Sequence, residues 1–446
     1  GDALSIGRAY AHDVGQPTAA RVVEEGAPSP SRAGRSVGAD VAFTDFNGDG
    51  RQDLVVGATS FYVPGTGTTA SNTELTNTYA TVNAACVTTG TLSVGGVLVS
   101  LGQVDGTFKP AYRLWAPTQI AGCTPETEAR CKRSAIGRGL VGGFDFNNDG
   151  KEDLGVLRDR GFEVYLGRAV EDASLTKLTM GCDPVYSWPS LSLQTSVPAS
   201  LGDLNGDNCD EVAWRYAEGT RSGIAILFGY DAGGTRCGAR TTPTVLRLAG
   251  DSEVQLSNQG LGVAIARAGR FLGDTRDFVA VSASSIPFNG VTQPVVLLFD
   301  KADLLREMEE RRTAGLPLVV GSLGDGVVPV TLVHRTRAVS FGASLAGGID
   351  LTGDSVPDLL VGAPGASEAS DGGGAVFLYA GGRGQEGALS PFLTAVGDVA
   401  ERGGLGQDIA LMPGSGGIPP TAIIGAPRSY RTGTQNGTAF ALPLGF

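Results

Sequence analysis

The chain is 446 residues long and carries 46 acidic against 34 basic side chains, a formal charge of −12. That sign removes the electrostatic attraction on which nucleic-acid or anionic-membrane binding rests, and no run approaches the roughly 18 consecutive apolar residues that direct membrane insertion takes. Only 18% of residues are charged while 68 are glycine, which suits many tight turns and short strands rather than helices.

The first predicted strand is residues 20–24. Residues 36–41 then form a Gly-containing apolar run, followed by Asp45-Phe46-Asn47-Gly48-Asp49-Gly50-Arg51-Gln52-Asp53. A second strand at 54–56 leads into Gly57-Ala58-Thr59. Residues 59–94, rich in Thr, Asn, Ser and Ala, are an insertion before a third strand at 96–100 and a weaker fourth at 112–115. The order returns at 139–143, with Asp145, Asn147, Asp149, Lys151 and Asp153 at matching positions and strands at 154–156 and 162–166. It returns again at 196–199, with Asp203, Asn205, Asp207, Cys209 and Glu211 and strands at 212–214 and 224–228. Residues 262–265, 277–281 and 295–298 repeat the strands, but the intervening 270–277 is one residue short and lacks the oxygens. A second insertion, 301–315, opens with a predicted helix, Leu304, Leu305 and Met308 on one side and Glu307 four before Arg311; it is expected to pack on the domain. The phrase appears a last time as Asp350, Thr352, Asp354, Val356 and Asp358, between 341–345 and strands at 359–361 and 375–379. A sixth unit runs 405–409, 422–427 and 438–441, and its loop, 412–420, is Gly/Pro-rich without carboxylates.

Oxygen side chains thus stand at positions 1, 3, 5 and 9 of four loops. Without a cation such clustered carboxylates repel one another. Ca2+ takes six to eight oxygens at roughly 2.3–2.6 Å, and a tight loop offering alternate oxygens plus one backbone carbonyl supplies them. Mg2+ fits less well, because it keeps its waters. An EF-hand is excluded: its closing Glu would fall at Val56 and Val156. A set of solvated Asx-type turns is the plain alternative, and fourfold recurrence in one register argues against it. About four Ca2+ are expected, and none at the 270–277 or 412–420 loops.

Phe341-Gly342, then residues 350–358, then Gly362-Ala363-Pro364 resembles the FG-GAP repeat of the integrin α-chain β-propeller and its bacterial relatives; Leu405-Gly406 with Gly425-Ala426-Pro427 is a second, metal-free likeness. The resemblance implies an all-β propeller with Ca2+ in hairpin loops between the first two strands of some blades. It implies side-chain ligands at Asp45, Asn47, Asp49 and Asp53 and at their equivalents in the other three loops. Arg51, Lys151, Cys209 and Val356 would offer backbone carbonyls. Glu211 in place of Asp, and Thr352 in place of Asn or Asp, depart from the pattern.

Six units of four short strands are countable, with seven blades as the alternative. Each blade packs only on its neighbours, so 1–446 reads as one propeller domain despite its length, closed by strand 20–24 completing the last blade. The four loops hold twelve carboxylates; four Ca2+ would leave −4 of the −12. Six cysteines and Ca2+ loops point outside the cytosol, to a bacterial surface, the periplasm or secretion. The start at Gly1 without Met fits a processed N-terminus. Strand parity places Cys209 and Cys237 on the metal face, which makes their bond the natural one there; of the four on the other face, Cys123–Cys131 is the local pairing among those open and leaves Cys86–Cys182.

The functional expectation is a Ca2+-stabilised, non-enzymatic propeller used in cell-surface adhesion or as a protein-interaction platform, its ligand a protein or glycan. The alternatives are a glycan-binding lectin and a carbohydrate-active or phospholipase-type enzyme or its accessory domain. The only histidines, His12 and His334, stand in unlike contexts without catalytic partners, and Asn436-Gly437-Thr438 reads as a turn rather than a glycan site. The 59–94 insertion is the candidate ligand loop, on the face opposite the metals.

Overall fold

The computed structural model describes residues 8–13, 16–25, 35–60, 62–63, 92–93, 96–104, 108, 112–114, 136–158, 161–167, 186–189, 197–218, 221–238, 244–250, 260–288, 291–311, 318–320, 330–332, 339–367, 372–382, 391, 393–397, 403–412, 419–426 and 438–444. Among the described residues it is all-β apart from one helix, and its strands form successive antiparallel meanders.

Sheet 1 comprises Arg35–Thr44, Asp53–Ser60, Gly96–Ser100 and Tyr112–Leu114. Sheet 2 comprises Gly139–Phe144, Asp153–Arg158, Gly161–Tyr165 and Tyr186–Pro189. Sheet 3 comprises Ala199–Gly202, Glu211–Glu218, Arg221–Phe228 and Thr244–Gly250. Sheet 4 comprises Leu261–Gly269, Phe278–Phe288, Val291–Asp300 and Val330–Leu332. Sheet 5 comprises Ser344–Ile349, Asp358–Ala363, Ala375–Tyr379 and Leu393–Val396. Sheet 6 shows three strands among the described residues, Ile409–Met412, Thr421–Ala426 and Thr438–Pro443.

The sheets pack face to face in chain order, because both faces of their central strands are apolar. Side chains of a strand alternate between faces. In sheet 3, Val212, Trp214, Tyr216, Ala225 and Leu227 turn to sheet 2, while Ala213, Ile224, Ile226 and Phe228 turn to sheet 4. Across the first of these interfaces Phe162 stacks on Trp214 at 4.5 Å. Every junction from sheets 1 and 2 through sheets 5 and 6 has its own buried cluster of this kind. Each fully buried aliphatic or aromatic side chain contributes about 1.5–3 kcal/mol. The first strands also touch in sequence: Arg35–Thr44 meets Gly139–Phe144, which meets Ala199–Gly202, then Leu261–Gly269, Ser344–Ile349 and Ile409–Met412.

Three features differ from expectation. The N-terminal strand does not join the last sheet: Gln16–Glu25 pairs antiparallel with Arg8–Asp13. Two strands so close in sequence close a short loop at little entropic cost, which favours that partner over a remote edge. The expected closure of the last blade by residues 20–24 is therefore corrected. Sheet 3 gains a fifth, parallel strand, Leu318–Val320, laid beside Thr244–Gly250. The 59–94 insertion starts and finishes as a two-stranded ribbon, Tyr62 opposite Ser93 and Val63 opposite Leu92; residues 64–91 lie outside the described residues. The helix forms as expected, Lys301–Arg311, with Asp300 Oδ1 accepting the Ala302 N–H at 2.8 Å and Leu304 fully buried in the core shared by sheets 3 and 4. Glu307, Met308 and Arg311 are side chains outside the described set.

Candidate cation-binding loops

All four acidic loops join the first and second strands of their sheets, and all four have one shape. Positions 4 and 6 take positive φ in every copy: Gly48 and Gly50, Asn148 and Gly150, Gly206 and Asn208, Gly353 and Ser355. Gly, Asn and Asp tolerate that region, while Ser355 is held there at φ 68° by its context. The twist turns successive N–H groups inward, and the position-1 carboxylate collects them. Asp45 accepts from Asp49 N–H at 2.9 Å and Gly50 N–H at 2.8 Å. Asp145 accepts from Asp149 and Gly150, Asp203 from Asp207 and Asn208, and Asp350 from Asp354 and Ser355. The position-5 carboxylate accepts the position-7 N–H at 3.0 Å in each loop, from Arg51, Lys151, Cys209 and Val356.

Position 9 lies beneath the loop and is fully buried at Asp53, Asp153, Glu211 and Asp358. One oxygen accepts the position-2 N–H and the other accepts an N–H at the end of the third strand. For Asp153 these are Phe146 and Gly167, both at 2.7 Å; for Asp358 they are Leu351 and Gly381, at 2.7 and 2.8 Å. Glu211 makes the same pair, to Leu204 and Gly229, so the longer side chain keeps the role. Burial is the main force on Asp53, Asp153 and Glu211, and the negative charges at positions 1 and 5 add to it, against the amide bonds. Asp53 is pushed up to about 6, and Asp153 and Glu211 to about 8. Burial likewise raises Asp358.

The donor set fits a hard cation. In loops 45–53, 145–153 and 203–211 the acids at positions 1 and 5 oppose the ionisation of the position-9 acid, and a divalent ion would relieve that. At position 3, Asn147 Oδ1 is buried with no hydrogen-bond partner, an orphaned acceptor of the type an ion would satisfy. Thr352 Oγ1 is buried beside the Asp358 carboxyl. Donor groups already lean on position 5: Asn47 Nδ2 donates to Asp49 Oδ2 at 3.0 Å, the Arg51 guanidinium pairs with the same oxygen, and Lys151 Nζ stands 3.6 Å from Asp149. As placed, no three acidic, histidine or cysteine side chains among the described residues stand in a group able to hold an ion, because their oxygens are turned to loop amides.

The loop of sheet 4 is built differently, with positive φ at Gly273 alone and with its acids paired to cations. Arg276 N–H and Nε both bond Asp274, at 2.9 and 2.8 Å, and Asp277 faces Lys301 Nζ at 3.4 Å and Arg267 at 3.8 Å. Most of the 412–420 loop lies outside the described residues, as does His334.

Cys209, at position 7 of the third loop, is disulfide-bonded to Cys237, as strand parity predicted. Both are fully buried, and Cys237 Sγ lies 3.8 Å from the Phe146 carbonyl of the second loop. Cys86, Cys123, Cys131 and Cys182 lie outside the described residues.

The phrases flanking the loops explain themselves in contact terms. Phe341 is buried, and Gly342 sits at φ +81° with its N–H donating to the Gly362 carbonyl at 2.9 Å. A Cβ on Gly362 would stand 2.2 Å from the Gly406 carbonyl of the next sheet, and one on Gly57 would stand 1.9 Å from that of Gly137. Each glycine pair is a close approach of backbones between neighbouring sheets. Residues 37–72 and 341–379 match the FG-GAP repeat family. The chain carries FG-GAP repeats. The match at 341–379 spans the fourth acidic loop, and the one at 37–72 spans the first. No curated protein matches the chain. Among solved structures it is similar to "Crystal structure of BBS1N in complex with ARL6DN, soaked with mercury", at 11% identity over 92% of this chain and 93% of that one, TM-score 0.41. The lead-soaked counterpart gives 10% identity, 94% and 96% coverage and a TM-score of 0.40. A chain of the yeast heterotrimeric Nup82-Nup159-Nup116 nucleoporin complex gives 9%, 78%, 88% and 0.29. Likenesses this loose fix neither blade number nor partner.

Two structural roles were not anticipated from the sequence. The first belongs to the glycine after each third strand, Gly102, Gly167, Gly229 or Gly381, whose N–H serves position 9. Its signal was present, since each stands one or two residues after a strand-like run. The second belongs to position 8, where Gln52, Glu152, Asp210 and Pro357 share no residue type.

Proposed function

We propose that the four acidic loops hold Ca2+ and that the chain is a six-bladed propeller serving as a protein-interaction platform outside the cytoplasm, at a cell surface. The observation that carries the calcium reading is one loop shape, with one set of oxygens, made four times, together with the orphaned Asn147 Oδ1. Asp45, Asn47, Asp49, Asp53 and their equivalents, with the position-7 carbonyls, would hold the ion. A bound Ca2+ supplies charge neutralisation. The chain's own part is to fix the first two strands of a blade to the end of the third, through the position-9 acid.

Ring closure between sheets 6 and 1 is supported from both sides. Asp408, just before the first strand of sheet 6, acts electrostatically on Asp40 in the first strand of sheet 1. Leu54, Val56 and Leu98 are buried on the face of sheet 1 turned away from sheet 2. The Cys209–Cys237 bond supports an oxidising compartment. The interaction role is supported by the FG-GAP matches and by the insertion that opens and closes as a ribbon. The test is capture of surface proteins by the chain with and without residues 64–91: loss of a specific partner on deletion supports the reading, and an unchanged partner set sinks it.

A further inference from the structure

Position 8 of the loops is not a ligand position, yet in two of them it carries an acid that reaches into the preceding loop. The Asp45 N–H donates to Glu152 Oε2 at 2.6 Å, and the Glu152 N–H donates to the Asp45 carbonyl at 3.2 Å. One sheet further on, the Asp145 N–H donates to Asp210 Oδ2 at 2.9 Å, and the Asp210 N–H donates to the Asp145 carbonyl at 2.9 Å. Asp45 and Asp145 open their loops, so the following loop grips the first ligand position by both sides of the backbone. Gln52 Nε2 adds a bond to Glu152 Oε2 at 3.2 Å. Amide bonds to a carboxylate are charge-assisted and the stronger for it. The fourth loop lacks the device. Its position 8 is Pro357, which has neither an N–H nor a side-chain acceptor and packs against Gly269 instead.

We infer, resting on the calcium reading above, that loops 45–53, 145–153 and 203–211 fill with Ca2+ as one coupled series through Glu152 and Asp210, while loop 350–358 fills independently. Glu152 stands between ligand positions 7 and 9 of its own loop, Lys151 and Asp153. An ion there fixes both neighbours and therefore fixes Glu152, which in turn holds the Asp45 peptide where loop 45–53 needs it. Asp210, between Cys209 and Glu211, does the same for Asp145. The ordering that one ion requires is already made by the next, and by linkage the help is mutual. Glu152 and Asp210 are positioning residues, not ligands.

The test titrates chelator-stripped full chain with Ca2+ alone and follows amide hydrogen exchange of peptides covering 45–53 and 350–358, with metal content in parallel. Asp149→Ala removes the ion from loop 145–153. It should move the protection midpoint of 45–53 to about fivefold higher Ca2+ or more and leave 350–358 unmoved. In a Glu152→Ala background the same substitution should no longer move 45–53. Glu152→Gln, which keeps an acceptor oxygen, should retain part of the shift and guards against a variant that merely folds poorly. If Asp149→Ala lowers calcium content by one ion and 45–53 stays put, or if the shift persists undiminished in Glu152→Ala, the coupling is overturned and the calcium reading survives. If the wild type takes up no Ca2+ at all, the calcium reading falls and the coupling falls with it.

Discussion

At position 9 of each loop a buried acid uses both oxygens on amides of its own sheet, and the glycine that supplies one of those amides has no room for a side chain. A Cβ on Gly381 would stand 2.2 Å from the Pro357 carbonyl. Gly381→Ala should cost about 1–3 kcal/mol by overpacking, read as a fall in denaturant midpoint, whereas Gly372→Ala should cost less. Gly372 has open space around it and only its φ of +69° to resist substitution. Asp40 is raised in the same way but stands outside the loops. It accepts the Leu140 N–H at 2.7 Å and the Val41 N–H at 2.9 Å, and burial, with Asp408 adding to it, raises it from 3.8 to about 7. The folded chain therefore binds a proton here that the unfolded chain has already lost above pH 4. Its stabilising contribution is full below about pH 4 and is lost as pH rises through 7. The stability difference between wild type and Asp40→Asn, measured with Ca2+ saturating, should change by about 2–4 kcal/mol between pH 4 and pH 8. A constant difference would show that Asp40 titrates normally.

At the scale of elements, the loops and their flanking strands were legible because chemistry and spacing coincide: oxygens at alternate positions, then an apolar run, then Gly57-Ala58 or Gly362-Ala363. The helix was legible from Leu304 and Leu305. The rest was hidden for physical reasons. Leu318–Val320 is three apolar residues that could pair anywhere, and its parallel place beside Thr244–Gly250 is set by tertiary fit. The 20–24 strand was assigned to the last blade, but Arg8–Asp13, its neighbour in sequence, is its partner. The position-8 links escaped notice because Glu152 and Asp210 act on the neighbouring unit, which a repeat read one unit at a time does not reveal. The Cys209–Cys237 bond followed from parity alone, since a first-to-second loop and a third-to-fourth loop lie at the same end of a meander. It ties the third acidic loop to the turn at 231–237, where Asp231 accepts the Gly233 N–H and the Thr235 hydroxyl. Thiol titration of denatured, unreduced protein from its native compartment should find neither of these two cysteines free; recovery of both as reactive thiols would contradict the extracytoplasmic proposal.

For the whole molecule, the acidity and the architecture have one explanation. A formal charge of −12 is distributed so that twelve carboxylates stand at positions 1, 5 and 9 of four loops, and four of the sheets depend on those loops to join their first three strands. In the sheet-4 loop the acids Asp274 and Asp277 are paired instead with Arg276 and Lys301. Calcium bound to the folded chain should raise its melting temperature by mass action, and Asp354→Ala should remove part of that gain while leaving metal-free stability nearly unchanged. Deleting residues 64–91 should leave both melting temperature and metal content intact. The most direct measurement is metal analysis by atomic emission on purified chain dialysed against millimolar Ca2+. About four Ca2+ per chain, falling to about three in Asp354→Ala, is the predicted result; no bound calcium, in protein that is folded by circular dichroism, would contradict it.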